Sequence, residues 1–155
     1  MATTTTSRDT ATYILDAPAQ VAEVAGKQSA RNARGRNQTL GRRGEELTCM
    51  YLADQGFIIL ERNWKCKSGE ADIIALEKET LVFVEVKTRS EGSLGLPESA
   101  VTTQKRICYE KIAISYLMQT PRPSCQVRFD VIAVQMTGER QCLLRHHRDA
   151  FWVDA

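Results

Sequence analysis

The chain has 155 residues, 26% charged and 43% apolar, with a formal net charge of +2. That length supports one domain with a sizeable core, and so small a positive excess leaves any case for a polyanion partner to local clusters. No apolar run reaches the ~18 residues of a membrane span, no signal-peptide core is present, and the five cysteines are odd in number without a CxxC pair. A disulfide framework, a zinc site and a membrane location are therefore poor fits, and a reducing cytoplasm is expected.

Residues 1–38 are rich in Thr, Ala and Arg and poor in large apolar side chains, so they read as a basic, mostly disordered tail or a marginal helix, preceding a domain at 39–155. Arg31, Arg34, Arg36, Arg42 and Arg43 put five arginines within thirteen residues with no acid among them. They suit either an arm for backbone phosphates or a solubilising leader. Residues 39–55 form the first predicted helix: Leu40, Leu47 and Tyr51 recur at helical spacing and Gly56 is a natural stop. Glu45 and Glu46 in its first half are, by their chemistry alone, more simply favourable carboxylates near a helix start than ligands.

Residues 57–60 read as an edge or entry strand, and 67–70 as a turn. The organising stretch is 69–89, GEADIIALEKETLVFVEVKTR. Its two apolar runs have strand composition, and the polar interval 77–80 is too short for a crossover, so they form an antiparallel hairpin. With Lys78 and Glu79 at the tip, Leu76 faces Leu81 and Asp72 faces Glu85, with Cβ atoms about 5 Å apart. Strand alternation puts Glu85 and Lys87 on one face and Val82, Val84 and Val86 on the other. Leu81 and Phe83 make the first face apolar too, which is the pattern of a central strand covered on both sides. Lys-Glu is not a preferred hairpin tip, and a one-residue slip would turn Asp72 away from Glu85.

Two opposed carboxylates repel unless a counter-charge joins them. A hard cation, Mg²⁺ or Mn²⁺, supplies one through oxygen ligands, with Lys87 placed to orient water or offset charge on phosphorus. The bland alternative is a solvated salt-bridge patch on a surface hairpin. Glu70, two residues before Asp72, is a reserve ligand.

Residues 88–99 form a glycine-rich loop leaving this site, with Arg89 its most plausible phosphate contact. Residues 100–118 form the second helix, and Gln104, Lys105 and Arg106 near its start suit a nucleic-acid backbone or simply a solvated first turn. Residues 127–135 form a strand on which Asp130 pairs with a nearby Arg or serves catalysis. A last short strand starts at 142–144, His146 and His147 read as ordinary polar residues, and 151–153 form an apolar closing segment. Helices on either side of a hairpin-centred mixed sheet make an α/β sandwich. GRRGEE has neither the Walker lysine nor the dinucleotide spacing, so no nucleotide cofactor is expected.

Gly69-Glu70-Ala71-Asp72-Ile73-Ile74-Ala75 followed by Leu81-Val82-Phe83-Val84-Glu85-Val86-Lys87-Thr88-Arg89 resembles the signature of a small, uncharacterised bacterial family of predicted endonucleases. That family is similar to archaeal Holliday junction resolvases within the restriction-endonuclease-like (PD-(D/E)xK) nucleases. The resemblance runs from about Gly41 to Phe151 and includes GRRGEE, Arg62-Asn63-Trp64, Lys105, Arg106 and Arg128-Phe129-Asp130-Val131. It departs at Ala71, where the pattern has Ile.

The resemblance implies the nuclease sandwich fold, metal-ligand roles for Asp72 and Glu85, and Lys87 as catalytic lysine. It also makes Glu45 the accessory acid, and a homodimer follows by analogy. The expected activity is metal-dependent endonucleolytic cleavage of DNA, branched or structured DNA included, with Arg42, Arg43, Arg89, Gln104, Lys105 and Arg106 as backbone contacts. The competing expectation is a nucleic-acid-binding adaptor that keeps the fold and does not cut.

Overall fold

The computed structural model describes residues 10–16, 33–91, 102–122, 125–138 and 140–150. Its elements in chain order are β1 (Thr10–Asp16), α1 (Ala33–Asp54), β2 (Ile58–Cys66), β3 (Gly69–Glu77), β4 (Thr80–Arg89), α2 (Thr103–Gln119), β5 (Gln126–Met136) and β6 (Gln141–His147). The strands form one mixed sheet in the order β1-β6-β5-β4-β3-β2, in which only β4 and β5 run parallel. The parallel pair needs a crossover, and α2 lies in the chain between its two strands.

The doubly apolar pattern of β4 has its expected consequence. Leu81, Val82, Phe83 and Val84 are all fully buried, and their side chains divide between two cores. Val82 and Val84 join Leu47, Tyr51 and Leu52 of α1 with Ile132, Val134 and Leu144. Leu81 and Phe83 join Tyr109, Ile112 and Tyr116 of α2 with Phe129 and Val131. Each fully buried side chain of this kind stabilises the fold by about 1.5–3 kcal/mol relative to an exposed one. The result is a three-layer α/β sandwich, helix on sheet on helix, as expected.

Both helices begin and end for local reasons. Gly56, with φ +87°, terminates α1: Phe57 N–H donates to Leu52 C=O and Gly56 N–H to Ala53 C=O, a Schellman closure. Thr102 caps α2, its hydroxyl accepting from Lys105 N–H at 3.3 Å.

Three expected boundaries differ. The segment 1–38, expected as a tail, contributes β1 and the start of α1, so the helix begins at Ala33 rather than Thr39. β1 joins the sheet by pairing antiparallel with β6 from Thr10↔His147 to Asp16↔Gln141. The Tyr13 ring packs on Tyr51 with centroids 4.8 Å apart, and Leu15 packs on the α1-side core. In sequence, three consecutive apolar residues hid an alternation of which only Tyr13 and Leu15 face inward. The second helix starts at Thr103, and the first half of the expected glycine-rich loop is the end of β4 only as far as Arg89. Residues 92–99 of that loop and the expected closing segment 151–153 lie outside the described residues. Among the described residues no helix is long and apolar enough to cross a membrane.

Candidate functional site

The β3–β4 ladder runs from Glu77↔Thr80 to Ile73↔Val84. On its other side β4 stays paired with β5 through to Arg89↔Gln135. Residues 85–89 therefore extend beyond the last β3 pair, and the sheet opens between the two strands at their acidic ends. The expected register holds: one further step past Ile73↔Val84 sets Asp72 opposite Glu85.

A break in alternation turns Asp72 toward that opening. Ala71 packs in the α2-side core and Ile73 in the α1-side core, although they are two residues apart and regular pleating would put both on one face. Across on β2, Asn63 lies between Arg62↔Ile73 and Trp64↔Ala71, and its φ of +51° is left-handed, a conformation that Asn tolerates better than most residues. The Asp72 carboxylate accepts from Val86 N–H at 2.8 Å, in place of a strand-to-strand bond.

Glu85 is 4% exposed and almost fully engaged. Its Oε1 meets Lys87 Nζ at 2.7 Å and Lys105 Nζ at 3.1 Å, and its Oε2 accepts from the Tyr109 hydroxyl at 2.5 Å. Lys105 also lies over the Tyr109 ring, 5.5 Å from its centroid. The two acids consequently titrate apart. Burial pushes Asp72 up, the Glu85 charge pushes it further, and Glu45 adds to this, so it reaches about 7. Burial acts on Glu85 in the same sense, but hydrogen bonds from Lys87 and Tyr109 and the charges of Lys87 and Lys105 hold it below its ordinary value. Such a split between neighbouring carboxylates is characteristic of functional sites, though ion-pair networks also produce it.

A cleft of about 390 Å³ opens here, lined by Asn37, Leu40, Gly41 and Glu45 from α1, Asp72, and Glu85, Val86, Thr88 and Arg89 from β4, with Ser90 after it. Glu45 is held by Asn63, whose side-chain amide donates to Oε2 at 3.0 Å. The cleft lining thus brings together Asp72, Glu85, Glu45 and Arg89, while Lys87 and Lys105 lie outside it and reach the site through Glu85 Oε1. Among the described residues, however, no group of three or more His, Cys, Asp or Glu side chains is arranged to hold one metal ion. Asp72 and Glu85 are the pair that could share a cation, with Glu45 lining the same cleft from α1.

Other candidate residues lie elsewhere. Glu70 is across the ladder from Lys65 and bridges to its Nζ at 3.3 Å, outside the cleft lining. Its reserve role as ligand is therefore not supported by position. Arg42 is exposed and Arg43 half-buried on α1, while Gln104 and Arg106 are exposed in the first turn of α2, outside the lining. Lys105, expected on a nucleic-acid backbone, instead points at Glu85.

Tyr109 was absent from the sequence-level candidates. The signal was its position four residues after Lys105, which places the two on one face of a helix. The expected pairing of Asp130 with a nearby Arg is present, within a larger buried cluster whose His146 and Tyr51 members the sequence did not point to. Asp130, fully buried, accepts from Arg128 Nε at 2.8 Å and from Asp149 N–H at 2.9 Å, and bonds His146 Nε2 at 2.8 Å. His146 Nδ1 is in turn 3.1 Å from the Tyr51 hydroxyl. His146 is only 1% exposed, so it serves the core rather than behaving as an ordinary polar residue.

Fold and site together define an α/β sandwich with two carboxylates and two lysines at an opening in the sheet. The sequence pattern of the uncharacterised protein family UPF0102 matches residues 44–134, and the chain belongs to that family. A UPF0102 protein of Nocardia farcinica is 42% identical over 117 residues, covering 76% of this chain and 92% of the relative. One from Rhodococcus opacus is 43% identical over 115 residues, 74% of this chain and 98% of the relative. One from Geotalea daltonii is 44% identical over 115 residues, 74% and 91%. The matched span contains every element that lines the site except the start of α1.

Proposed function

We propose that the protein is a metal-dependent endonuclease of the restriction-endonuclease-like (PD-(D/E)xK) kind that hydrolyses phosphodiester bonds in DNA, branched or structured DNA included. The observation that carries this is the meeting of Asp72 and Glu85 at a strand opening, with Lys87 at 2.7 Å from Glu85.

The donor set fits one class of ion. Two carboxylates without a third acidic ligand do not make a cage, but Mg²⁺ keeps several waters and is usually bound through one or two carboxylates plus substrate phosphates. Burial, and after it the Glu85 charge, hold the Asp72 carboxyl protonated up to about 7, and a bound cation would offset both. Mg²⁺ or Mn²⁺ held by Asp72 and Glu85 would supply Lewis-acid polarisation of a phosphoryl oxygen.

The chain's own groups do the rest. Lys87, partly exposed and bonded to Glu85, stabilises negative charge growing on the phosphoryl oxygens and orients the attacking water. Glu85, kept ionised by its cationic partners, fixes that ammonium through a charge-assisted bond. Glu45, steadied by Asn63, faces the same volume and can accept a proton from water in the cleft. Arg89, exposed at the rim, meets the sugar-phosphate backbone. By analogy with the resolvases the active form is a homodimer, a point that sedimentation velocity would decide.

One observation favours a second reading. The lysines and Tyr109 already satisfy Glu85 on both oxygens, as in a fold that binds nucleic acid without cutting it. The deciding experiment incubates wild type, Lys87→Ala and Asp72→Asn with labelled duplex, single-stranded, flap and four-way-junction DNA and with RNA, in Mg²⁺ or Mn²⁺. Cation-dependent cutting by wild type alone supports the nuclease. Salt-sensitive binding without cutting at any metal concentration supports the adaptor.

A further inference from the structure

Where the β3–β4 ladder stops, two side-chain bridges replace it. One is the Asp72 carboxylate on Val86 N–H, described above. The other comes from outside the sheet. The Tyr109 hydroxyl donates to Glu85 Oε2 at 2.5 Å, and the Asp72 backbone lies near enough to act on the same phenol. One phenol oxygen therefore stands between the acid-bearing residue of β3 and that of β4.

The phenol is well placed to act as a fixed strut. Tyr109 is fully buried, and its ring stands edge-on to Phe129 with centroids 6.2 Å apart. It is packed in the α2-side core with Ile112 and Phe83, so the hydroxyl is aimed by a rigid aromatic body. Its bond selects one oxygen of Glu85. With Oε2 taken, Oε1 is the oxygen that meets Lys87 and Lys105. Burial, the charges of Glu85 and Asp72 and the bond to Glu85 raise the phenol well above its ordinary range, so it remains a neutral donor.

We infer that Tyr109 is a positioning residue for the acidic pair: it clamps Asp72 to Glu85 across the open end of the ladder and orients Glu85 so that Oε1 meets Lys87 and Lys105. The inference rests on the nuclease reading for the purpose of that geometry, but the clamp itself can be measured without any metal. Groups that orient ligands from behind typically contribute 10–100-fold to metal affinity or activity.

The test compares wild type, Tyr109→Phe and Tyr116→Phe as full chains. Tyr116 is a buried tyrosine of the same core and serves as the control for loss of a hydroxyl. Two readouts are taken: amide hydrogen exchange at Asp72 and Val86 by NMR without metal, and Mn²⁺ affinity by titration calorimetry. Cleavage, split into kcat and KM, is a third. Tyr109→Phe should exchange faster at both amides, bind Mn²⁺ about tenfold more weakly or worse, and lose kcat with KM little changed, while Tyr116→Phe matches wild type.

Unchanged exchange in Tyr109→Phe overturns the clamp whatever the metal does. Faster exchange with wild-type Mn²⁺ affinity and kcat overturns its positioning role. If Tyr109→Phe does not fold, Tyr109→Trp and Tyr109→Leu are taken through the same exchange measurement, and exchange at wild-type rates in a folded one overturns the clamp. Wild type that takes up no Mn²⁺ overturns the nuclease reading, and faster exchange in Tyr109→Phe would then still support the clamp.

Discussion

Gly44 of α1 lies against Thr88 of β4 so closely that a Cβ on the glycine would stand 1.8 Å from the Thr88 hydroxyl oxygen and 2.8 Å from its Cβ. No side chain fits there without moving the helix. This contact sets how near α1 comes to the end of β4, and so where Glu45, the next residue, enters the cleft. Gly44→Ala should cost about 1–3 kcal/mol, the usual range for forcing atoms into a packed contact, read as a lower Tm. It should also reduce cleavage more than Gly41→Ala, because nothing lies within 4 Å of a Cβ built at Gly41. Equal Tm and activity in the two variants would show that α1 is not seated by this contact.

Asp72 makes the fold's stability depend on pH in an unusual direction. The folded chain holds that proton up to about 7, whereas an unfolded aspartate releases it near 3.8. Between these values the native state binds more protons than the unfolded one, so stability falls as pH rises and levels off above about 7. Asp72→Asn removes this term. In EDTA the variant should gain on wild type from pH 4.5 to about pH 7 and hold that gain to pH 8.5, ending several degrees higher in Tm. Added Mg²⁺ should then raise the Tm of wild type at pH 8.5 and leave that of the variant where it was. A Tm difference that does not vary with pH would mean that Asp72 ionises like an exposed aspartate.

Much of this site was readable because its signals were local. Four consecutive large apolar residues at 81–84, ended by Glu85 and Lys87, specify a central strand with a charged end, and the short 77–80 interval specifies its partner, while the register was left open by the Lys78-Glu79 tip and is fixed by the pairing itself. Tyr109 was not readable in the same way, since a helical tyrosine among Ile and Ala is equally a core residue until the strand it faces is known. The turn of Asp72 out of strict alternation coincides with the left-handed Asn63, nine residues earlier on another strand. The fate of Lys105 depends on how closely α2 packs on β4. Both are tertiary facts, set by pairing and packing between segments rather than by either segment's own pattern. β1 was missed for a similar reason: it lacks any periodicity strong enough to stand alone and gains its structure from the open edge of β6.

The Asp130 cluster should govern stability and leave the cleft's chemistry intact. Burial alone would raise its carboxyl, but hydrogen bonds from His146 and Arg128 outweigh that and hold it below its ordinary value. A carboxylate depressed in the folded state stabilises above its unfolded pKa, near 3.8, and loses that contribution as pH falls further. Asp130→Ala strands the half-buried Arg128 beside its remaining partner Glu77 and leaves buried His146 without its carboxylate. Breaking a buried pair in this manner costs about 3–5 kcal/mol. Urea denaturation should show that loss at pH 7 and a smaller one at pH 3. In the folded fraction, Mn²⁺ affinity should match wild type, and a comparable loss of Mn²⁺ binding would show that this cluster and the cleft are coupled.

Arg89 offers the cleanest separation of backbone binding from cutting. It is exposed, it lines the cleft, and it sits two residues beyond Lys87 at the end of β4. A cation that neutralises one phosphate of duplex DNA contributes about −0.9 to the slope of log K against log salt. Arg89→Ala should therefore flatten that slope by about 0.9 and weaken binding to all sequences alike, because phosphate contacts carry no base information. Arg140, exposed in the connection between β5 and β6, is the control, and Arg140→Ala should keep the wild-type slope. Fluorescence anisotropy in Ca²⁺ or EDTA, from 50 to 300 mM salt, reads binding without turnover. If both variants keep the wild-type slope, the nucleic acid does not pass over this rim, and the exposed Arg42 of α1 becomes the next position to test by the same titration.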